Sequence, residues 1–381
     1  MAAVVKHKPA WLESLMFAGI RTGFSSLTIG DLGSTLYAAR RIGRALGGSW
    51  MNKARLQRAI DNIALAYPDA TDAERREYAL RSYEHIFALG VEVANMPRRL
   101  SLEGWVDRVE LGDVSTMLRR MLDERPIIFL TGHCGNWELC GYTMALLGFR
   151  IHALYRPFDL RPLDAWVRQV RGERGMTLMD KFGAMHKLPE VLERGDPVGI
   201  VADQNAGVRG LHVPFFGRLA STYKAMAILA LRYDAVVVTC VATRTGRRLL
   251  ADGQVQTEPD PMRYHMYVAD IMTPEDYRAQ PDPSFYITAR FRRALEECIR
   301  KSPEQTLWMH RFWKSRPPFE MEGKPFPARL EARLRNLPWM TDEEMRRIKE
   351  HSLRDTTACA AARGSGGGSK PEPEPDPSED A

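Results

Sequence analysis

A histidine and a glutamate stand five positions apart in the segment HCGNWE, at His133 and Glu138. A carboxylate on one nitrogen of an imidazole fixes the tautomer and raises the basicity of the other nitrogen. A general base that takes a proton from a hydroxyl group needs this arrangement. The segment therefore predicts acid–base chemistry, with His133 as the base and Glu138 as the carboxylate that orients its ring.

The same segment allows other interpretations. The structural one is a helix-capping histidine beside a surface glutamate. Cys134 is a candidate nucleophile next to His133, but adjacent side chains at the end of an extended strand point to opposite faces. A metal site with Glu138 and Cys140 would lack the closely spaced pairs and distant second half typical of zinc ligands. We favour the base, and we expect no metal.

Four short apolar runs predict buried strands, and helical patterns separate them. The strands are expected at 127–131, 151–155, 198–202 and 235–241, and the helices between and after them at 137–147, 163–174, 184–194 and 222–233. A further helix is expected at 283–300. Alternating strands and helices indicate an α/β fold with a mostly parallel or mixed central sheet and helices on both faces. Ligands in such folds bind at the carboxyl ends of the strands.

Two helices are predicted before the first strand. Residues 52–67 place apolar side chains at helical spacing, and Pro68 ends the pattern. Thr71 and Glu74 match a capping box that opens a helix to about residue 95, closed by Pro97. His85 lies on its apolar face and is interpreted as a core histidine. We divide the chain into a helical N-terminal region (1–100), an α/β domain (101–355) and a disordered tail (356–381).

Composition excludes several classes of protein. The 381 residues are 44% hydrophobic and 27% charged, as in an ordinary globular chain. The longest segment without Asp, Glu, Lys or Arg has 12 residues, 126–137, whereas a membrane-spanning helix needs about 18 or more. A polytopic membrane protein is therefore excluded. Five scattered cysteines argue against a disulfide framework and predict a cytoplasmic, reducing compartment.

The net charge of +6 is unevenly distributed. Residues 364–381, rich in Gly, Ser, Pro and acids, carry five acids and one base, a net −4 that leaves +10 on residues 1–363. The first 58 residues carry nine bases and two acids, with short apolar patches between them. This pattern is typical of a segment that lies on an anionic bilayer surface. A solvated basic helix pair packed on the core is the alternative.

The motif at His133 resembles the HX4E motif of the bacterial lipid A biosynthesis (lauroyl/myristoyl) acyltransferase family, within the wider lysophospholipid acyltransferase-like superfamily. Three later blocks agree with that family in order. They are YRP at 155–157, DQ…V-FFG at 203–217, and PEQ–W–HR–K-RP at 303–317. The resemblance spans roughly residues 50–318. It does not extend to the first 30 residues or to the Gly/Pro/acid tail.

The resemblance implies an O-acyltransferase that moves a fatty acyl group from an acyl carrier protein or coenzyme A thioester to a hydroxyl of a lipid A precursor-like glycolipid. It implies no acyl-enzyme, metal or redox cofactor, and a place on the cytoplasmic face of the bacterial inner membrane, peripheral or monotopic. Arg171 is the third expected catalytic residue. The expected substrate-binding residues are Asn136, Tyr155, Arg156, Arg174, Asp203 and Gln204. His310 and Arg311 are expected in structural or membrane-facing roles.

Some alternatives stay open at this point. Oxyanion donors are expected from the backbone at 135–137 or from Arg171. The acceptor is an anionic glycolipid or phospholipid, and a phosphatidylinositol mannoside or lysophospholipid type is the second choice. A lipid or thioester hydrolase would use water at the same histidine. A lipid-binding or nucleic-acid-binding protein is the non-enzymatic rival, but no RNA- or DNA-binding signature is present, and we expect no nucleic-acid partner.

Overall fold

The structure is a computed structural model. It describes residues 9–122, 125–173, 175–180, 184–245, 247–249, 255–257 and 262–364. The helices in these ranges are α1 (Ala10–Ile29), α2 (Leu32–Gly47), α3 (Lys53–Ala66), α4 (Asp72–Arg99), α5 (Ser115–Leu122), α6 (Trp137–Leu146), α7 (Arg161–Gly172), α8 (Ala184–Glu193), α9 (Ala225–Tyr233), α10 (Pro274–Arg278), α11 (Pro283–Lys301), α12 (Pro318–Met321), α13 (Ala328–Arg335) and α14 (Asp342–Gly364).

The strands form one large sheet and two hairpins. They are β1 (Val109–Leu111), β2 (Ile127–Thr131), β3 (His152–Tyr155), β4 (Thr177–Asp180), β5 (Val198–Val201), β6 (Leu211–Phe215), β7 (Arg218–Thr222), β8 (Val236–Arg244), β9 (Arg247–Leu249), β10 (Val255–Thr257) and β11 (Tyr264–Met272). The large sheet has the order β1-β11-β8-β2-β5-β3-β4. Only the β11–β8 pairing in it is antiparallel. The predicted mostly parallel sheet is confirmed.

Successive side chains of β2 alternate between two apolar layers. Ile128 and Leu130 pack with α9 and α11 on one face, whereas Ile127 and Phe129 pack with α6 and α2 on the other. Because both faces of a parallel sheet are covered, its strands read as continuous apolar runs. This explains why the four predicted strands lie within three residues of the observed ones, and it confirms helices on both faces.

Helix α4 shows one confirmed boundary and one wrong one. The capping box of Thr71 and Glu74 opens it, as predicted. Its end is not at residue 95, because the helix continues through Pro97 to Arg99. A proline removes only the hydrogen bond from its own nitrogen to the preceding turn, so two more residues follow before the chain leaves the axis at Leu100.

The C-terminal boundary also differs from the prediction. Helix α14 runs to Gly364, so residues 356–364 of the expected tail are helical. The segment TTACAAAR is rich in alanine, the best helix former, and it continues the helix in spite of its two threonines. Residues 365–381 lie outside the described residues. Within those that the structure describes, no helix is both long and apolar enough to cross a membrane.

Candidate active site

His133 lies where β2 ends and turns into α6. Gly135 in this turn has φ +62°, and a Cβ placed there would lie 2.2 Å from the carbonyl oxygen of Ala242 in β8. The amide of Gly135 donates to the carbonyl of Gln305 at 2.8 Å, and the amide of Asn136 donates to that of Ala242 at 2.7 Å. The turn is thus clamped between β8 and a distant segment of the chain, and only glycine fits at position 135.

The same hydrogen bonds change the expected oxyanion donors. The amides of Gly135 and Asn136 already donate to protein carbonyls, so we no longer expect them to stabilise an oxyanion. Asn136 is fully buried, where its side chain accepts from the amide of Leu139 and donates to the hydroxyl of Tyr264 at 3.1 Å. It caps α6, and we assign it this structural role in place of the predicted substrate contact.

The carboxylate that binds the His133 ring is Asp203. Oδ1 of Asp203 lies 2.6 Å from Nδ1 of His133, and Oδ2 accepts from the backbone amide of His133 at 2.7 Å. Asp203 follows β5, which pairs in parallel with β2, so the two carboxyl strand ends meet at one edge of the sheet. An ionised carboxylate can only accept, so Nδ1 carries the proton and Nε2 is the basic atom.

Asp203 is 1% exposed, yet it remains ionised. Burial alone would raise its pKa, but the charge of the His133 ring, its hydrogen bonds and the charge of His310 outweigh burial and hold the pKa below its ordinary value. The prediction that Glu138 orients the ring is therefore wrong. Asp203 was expected to contact substrate, and the structure places it behind the base.

Glu138 makes an ion pair with Arg171 instead. Glu138 lies in the first turn of α6 and Arg171 in the last turn of α7, positions where helix dipoles favour a negative and a positive side chain. The two helices follow β2 and β3, which lie on either side of β5. The three predicted catalytic residues and Asp203, which was predicted to bind substrate, thus form two adjacent groups, a His133–Asp203 pair and a Glu138–Arg171 pair.

A deep apolar cavity begins at the ion pair and passes between α6 and the sheet. The cavity has a volume of about 90 Å³. Trp137, whose ring lies 4.8 Å from that of His133, is part of its wall. Apolar side chains of β2, β3, β4, β5 and α6, and of Ile151 just before β3, line most of the remainder, including Met144, Leu178 and Ile200. This lining is suited to an apolar group.

Of the remaining predicted residues, Tyr155 contacts the cavity. Tyr155 is in its wall, with its hydroxyl 3.3 Å from a carboxylate oxygen of Asp164. Arg156 follows at the end of β3 and is half-buried. Gln204 is half-buried next to Asp203. Arg174 lies outside the described residues.

Sequence reasoning missed the place of His310, whose ring centroid lies 4.5 Å from that of His133. The segment that carries it pairs with the catalytic turn, because the amide of Leu307 donates to the carbonyl of His133 at 3.0 Å. Asn62 of α3 donates to the carbonyls of Trp308 and His310 at 2.8 and 2.7 Å. The PEQ–W–HR block was visible in the sequence, but its pairing with a turn some 170 residues earlier was not.

A second buried polar network contacts the turn between β2 and α6. His85 of α4 is buried, as predicted, and its Nε2 lies 3.1 Å from the carbonyl oxygen of Gly135. Nη1 of Arg244 lies 3.3 Å from the other ring nitrogen, and Arg244 pairs with the fully buried Glu92. Burial and the charge of Arg244 hold the pKa of His85 well below its ordinary value, so its ring is neutral.

A buried carboxylate behind an imidazole, next to an apolar cavity at the carboxyl edge of a parallel sheet, is an arrangement suited to acid–base chemistry on a substrate that has an apolar chain. The sequence profile of bacterial lipid A biosynthesis acyltransferases matches residues 32–315. The chain therefore belongs to the bacterial lipid A biosynthesis acyltransferase family, whose members are O-acyltransferases.

Individual relatives agree with this family. The chain is 25% identical over 297 residues to the lipid A biosynthesis lauroyltransferase of Escherichia coli K12, which covers 75% of this chain and 87% of that protein. It is 23% identical over 317 residues to the myristoyltransferase of the same organism, covering 82% and 89%. The palmitoleoyltransferase is 24% identical over 270 residues, covering 70% and 80%.

Proposed function

We propose that this enzyme transfers a fatty acyl group from a thioester donor, acyl carrier protein or coenzyme A, to a hydroxyl of a lipid A precursor-like glycolipid. The observation that carries the proposal is the contact between the His133 base and the wall of the apolar cavity through Trp137. The relatives, which are lipid A acyltransferases, support the acceptor class.

In the proposed reaction, Nε2 of His133 takes the proton of the acceptor hydroxyl while the hydroxyl oxygen attacks the carbonyl carbon of the thioester. Asp203 stabilises the imidazolium and keeps Nδ1 protonated. The tetrahedral intermediate then expels the thiolate, and the proton on Nε2 neutralises that thiolate. The oxygen–acyl bond forms, the sulfur–acyl bond breaks, and the enzyme returns to its starting state without a covalent intermediate.

Arg171 is the proposed donor to the developing oxyanion. Its guanidinium has five N–H groups, of which Glu138 engages part, and it lines the mouth of the cavity. A well-placed donor of this kind contributes about 2.7–4 kcal/mol to the transition state. Glu138 then acts by fixing the direction of the Arg171 side chain. Tyr155, Arg156, Arg174 and Gln204 remain proposed substrate-binding residues.

Purified protein with a radiolabelled acyl thioester, assayed with and without a lipid A precursor, tests the proposal. We expect acyl transfer that requires the lipid, and parallel reactions with acyl carrier protein and coenzyme A thioesters identify the donor. Acyl release without the lipid would instead indicate a hydrolase. Neither transfer nor release with either donor would refute the enzyme proposal, and transfer only to lysophospholipid would replace the acceptor class.

The cavity is the proposed acyl-chain site, and Gly141 of α6 is the position that tests it. A Cβ at Gly141 would lie 2.8 Å from Cε of Met176, another wall residue. We expect Gly141→Met to shift donor preference to a shorter acyl chain, because each methylene that loses its burial costs about 0.8 kcal/mol. Competition between thioesters of different chain length measures this shift.

The matched control for Gly141→Met is Gly172→Met at the end of α7. An added Cβ at Gly172 meets no atom within 4 Å. We expect its chain-length preference to stay at the wild-type value. If Gly141→Met is folded by circular dichroism and also retains the wild-type preference, the acyl chain binds elsewhere.

We further propose that the N-terminal helices contact an anionic membrane surface. Trp11 and Leu15 of α1 are 69% and 63% exposed, on a segment with a net charge of +7. Phe17 of the same helix contacts Trp166 of α7 at 6.5 Å between ring centroids. Helix α1 therefore packs against α7, the helix that carries Arg171, near the place where a lipid acceptor would enter.

We expect the protein to bind vesicles that contain anionic lipid, with binding that falls as salt rises, since each basic side chain near the surface contributes about 1 kcal/mol. The double variant Trp11→Ser, Leu15→Ser should weaken vesicle co-sedimentation. Leu353→Ser on α14 is the control, because Leu353 is equally exposed, at 68%, but lies on a different helix. Vesicle binding that is independent of both salt concentration and anionic lipid content would contradict a surface-charge mechanism.

A further inference from the structure

Arg292, in the middle of α11, is a fully buried cation. Its Nε donates to Oγ1 of Thr222 at 2.9 Å, and its guanidinium carbon lies 4.8 Å from the ring centroid of Phe215. Among the residues that the structure describes, neither Nη1 nor Nη2 has a hydrogen-bond partner. Burial of a charge without a directly bonded carboxylate is strongly unfavourable, so the residue calls for a functional explanation.

A second arginine on the same helix shows the ordinary arrangement. Arg290 makes two hydrogen bonds to Asp270, at 2.7 and 2.8 Å, and a third to the hydroxyl of Tyr286 at 2.9 Å. It is partly exposed. Arg290 thus stabilises the packing of α11 on β11, whereas Arg292 has a comparable charge without such bonds.

Helix α11 passes directly behind the catalytic turn. Leu295, one turn after Arg292, packs on Gly132, where an added Cβ would lie 2.7 Å from the Leu295 methyl carbons and 3.2 Å from Cβ of Asp203. Thr222, the partner of Arg292, lies beside the loop that follows Asp203, because the amide of Ala206 donates to the carbonyl of Ser221 at 3.3 Å. The uncompensated cation is therefore close to the buried carboxylate of the active site.

The electrostatics agree with this geometry. Burial lowers the pKa of Arg292 to about 10, and the attraction of Asp203 opposes this decrease. Arg292 therefore stays charged at neutral pH. Its charge acts on Asp203 through a medium that excludes water, where Coulomb interactions are stronger than at the surface.

We propose that Arg292 is a positioning residue whose buried positive charge keeps the His133–Asp203 pair in its singly protonated form. In this form Asp203 is ionised, Nδ1 of His133 carries the proton, and Nε2 is free to act as a base. The inference rests on the proposed function of His133. A second proton on the pair would place another positive charge near Arg292, so the arginine opposes its uptake.

Other titratable groups face the pair as well. The ring of His310 lies against His133, and its charge acts on Asp203. The buried thiols of Cys134 and Cys298 are uncharged near neutral pH, since burial raises the pKa of Cys134 well above its ordinary value and that of Cys298 to about 11. The neighbouring Glu138 and Arg171 pair with each other, so that their charges offset. Among the residues that the structure describes, His310 is therefore the group to separate from His133 experimentally.

The first test is the pH dependence of kcat/KM in R292M, R292Q and R292K. For the two neutral variants we expect the acid limb to move up by about one pH unit, which is about a tenfold loss on the acid side, with near wild-type values at alkaline pH. R292K retains the charge and should retain the wild-type limb. R290M is the matched control, with lower thermal stability and an unchanged limb.

Thermal unfolding separates this role from a purely structural one. An apolar side chain of similar volume removes the burial cost of the charge, so R292M should be at least as stable as the wild type. Neutral variants that fold and keep the wild-type acid limb would overturn the inference. Loss of stability with an unchanged limb would do the same.

A second measurement does not depend on catalysis. Diethyl pyrocarbonate modifies only unprotonated imidazole, and trypsin places His133 on the 121–150 peptide and His310 on the 302–311 peptide. We expect the pH midpoint of His133 modification to rise in R292M and R292Q and to stay constant in R292K and R290M. If the wild type transfers no acyl group, the proposed function fails, but this midpoint still tests the charge effect.

Discussion

Asp203→Asn should lower the rate of acyl transfer by about 10⁴-fold while the protein stays folded. An asparagine amide is similar in size but can offer an N–H to Nδ1 of His133, which selects the tautomer with the proton on Nε2 and leaves no base. The same substitution behind a catalytic histidine in serine proteases has an effect of this size. Steady-state kinetics with the labelled thioester measures the loss, and circular dichroism checks the fold.

Glu138→Gln is the decisive comparison for that prediction. A glutamine has no charge to hold Arg171, so we expect the guanidinium to be misplaced. Because its amide oxygen can still accept a hydrogen bond from Arg171, the rate of acyl transfer should fall by no more than about 10²-fold. Gln204→Ala, next to Asp203 but outside its contact with the ring, should affect KM more than kcat. A larger loss for Glu138→Gln than for Asp203→Asn would restore Glu138 as the orienting carboxylate.

Asp203, rather than the predicted Glu138, contacts the His133 ring, and this difference shows what local spacing in the sequence leaves out. Glu138 is the carboxylate nearest to His133 in the sequence, and a helix starts between them, so a return contact was a reasonable expectation. In the fold, the first turn of α6 places Glu138 next to α7, where Arg171 binds it. Asp203 is 70 residues from His133 but follows the neighbouring strand, and only the strand order brings it to the ring.

Periodicity predicted the elements that are buried on both faces, and it missed those that are not. The apolar runs of β2 and β8 have a clear signal because helices cover both sides. β11 mixes buried and half-buried residues and pairs antiparallel with β8, so its sequence of Tyr, His and Asp among apolar residues gave no run to detect. The β6–β7 hairpin was not predicted as strands, and its residues entered the sequence analysis only through the block at 203–217.

The candidate site was predictable as a location rather than as a set of contacts. Strand ends and glycines identified the edge of the sheet, and His133 and Arg171 are both there. The buried support is of a different kind, because Glu92, Arg244 and Arg292 are polar residues in elements that otherwise read as core. A sequence pattern cannot separate a buried charge that has a partner across the fold from one on a solvated helix face.

The largest expected effect on stability comes from loss of the buried Glu92–Arg244 ion pair. Glu92 neutralises Arg244, whose pKa is raised because the attraction of Glu92 outweighs burial, and it also attracts Arg40. Glu92→Ala leaves two neighbouring cations without this carboxylate. Breaking one side of a buried pair costs about 3–5 kcal/mol, and we expect this decrease in the free energy of unfolding by urea titration.

Replacement of both partners tests whether the loss of stability in Glu92→Ala comes from the charge left unpaired or from the loss of the ion pair itself. In Glu92→Leu, Arg244→Met the charge of Arg244 disappears with that of Glu92, Arg40 keeps the attraction of Glu84, and the backbone at position 244 keeps its two hydrogen bonds to the Gln305 side chain, at 2.8 and 2.9 Å. We therefore expect the double variant to recover most of the lost stability. Glu77→Ala in the partly exposed Arg44–Glu77 pair is the control and should cost no more than about 1 kcal/mol.

The acyl-transfer activity of that double variant then tests whether the Glu92–Arg244 pair only stabilises the fold or also positions the catalytic turn. Without Arg244, Nδ1 of the buried His85 ring loses its hydrogen-bond donor, and among the residues that the structure describes the bond from Nε2 to the carbonyl of Gly135 is the one hydrogen bond that still holds the ring. If the network only stabilises the fold, a stable double variant should transfer acyl groups at the wild-type rate. We expect it to remain slower, because the position of the turn, and with it the direction of the His133 ring, depends on a polar bond that apolar packing does not replace.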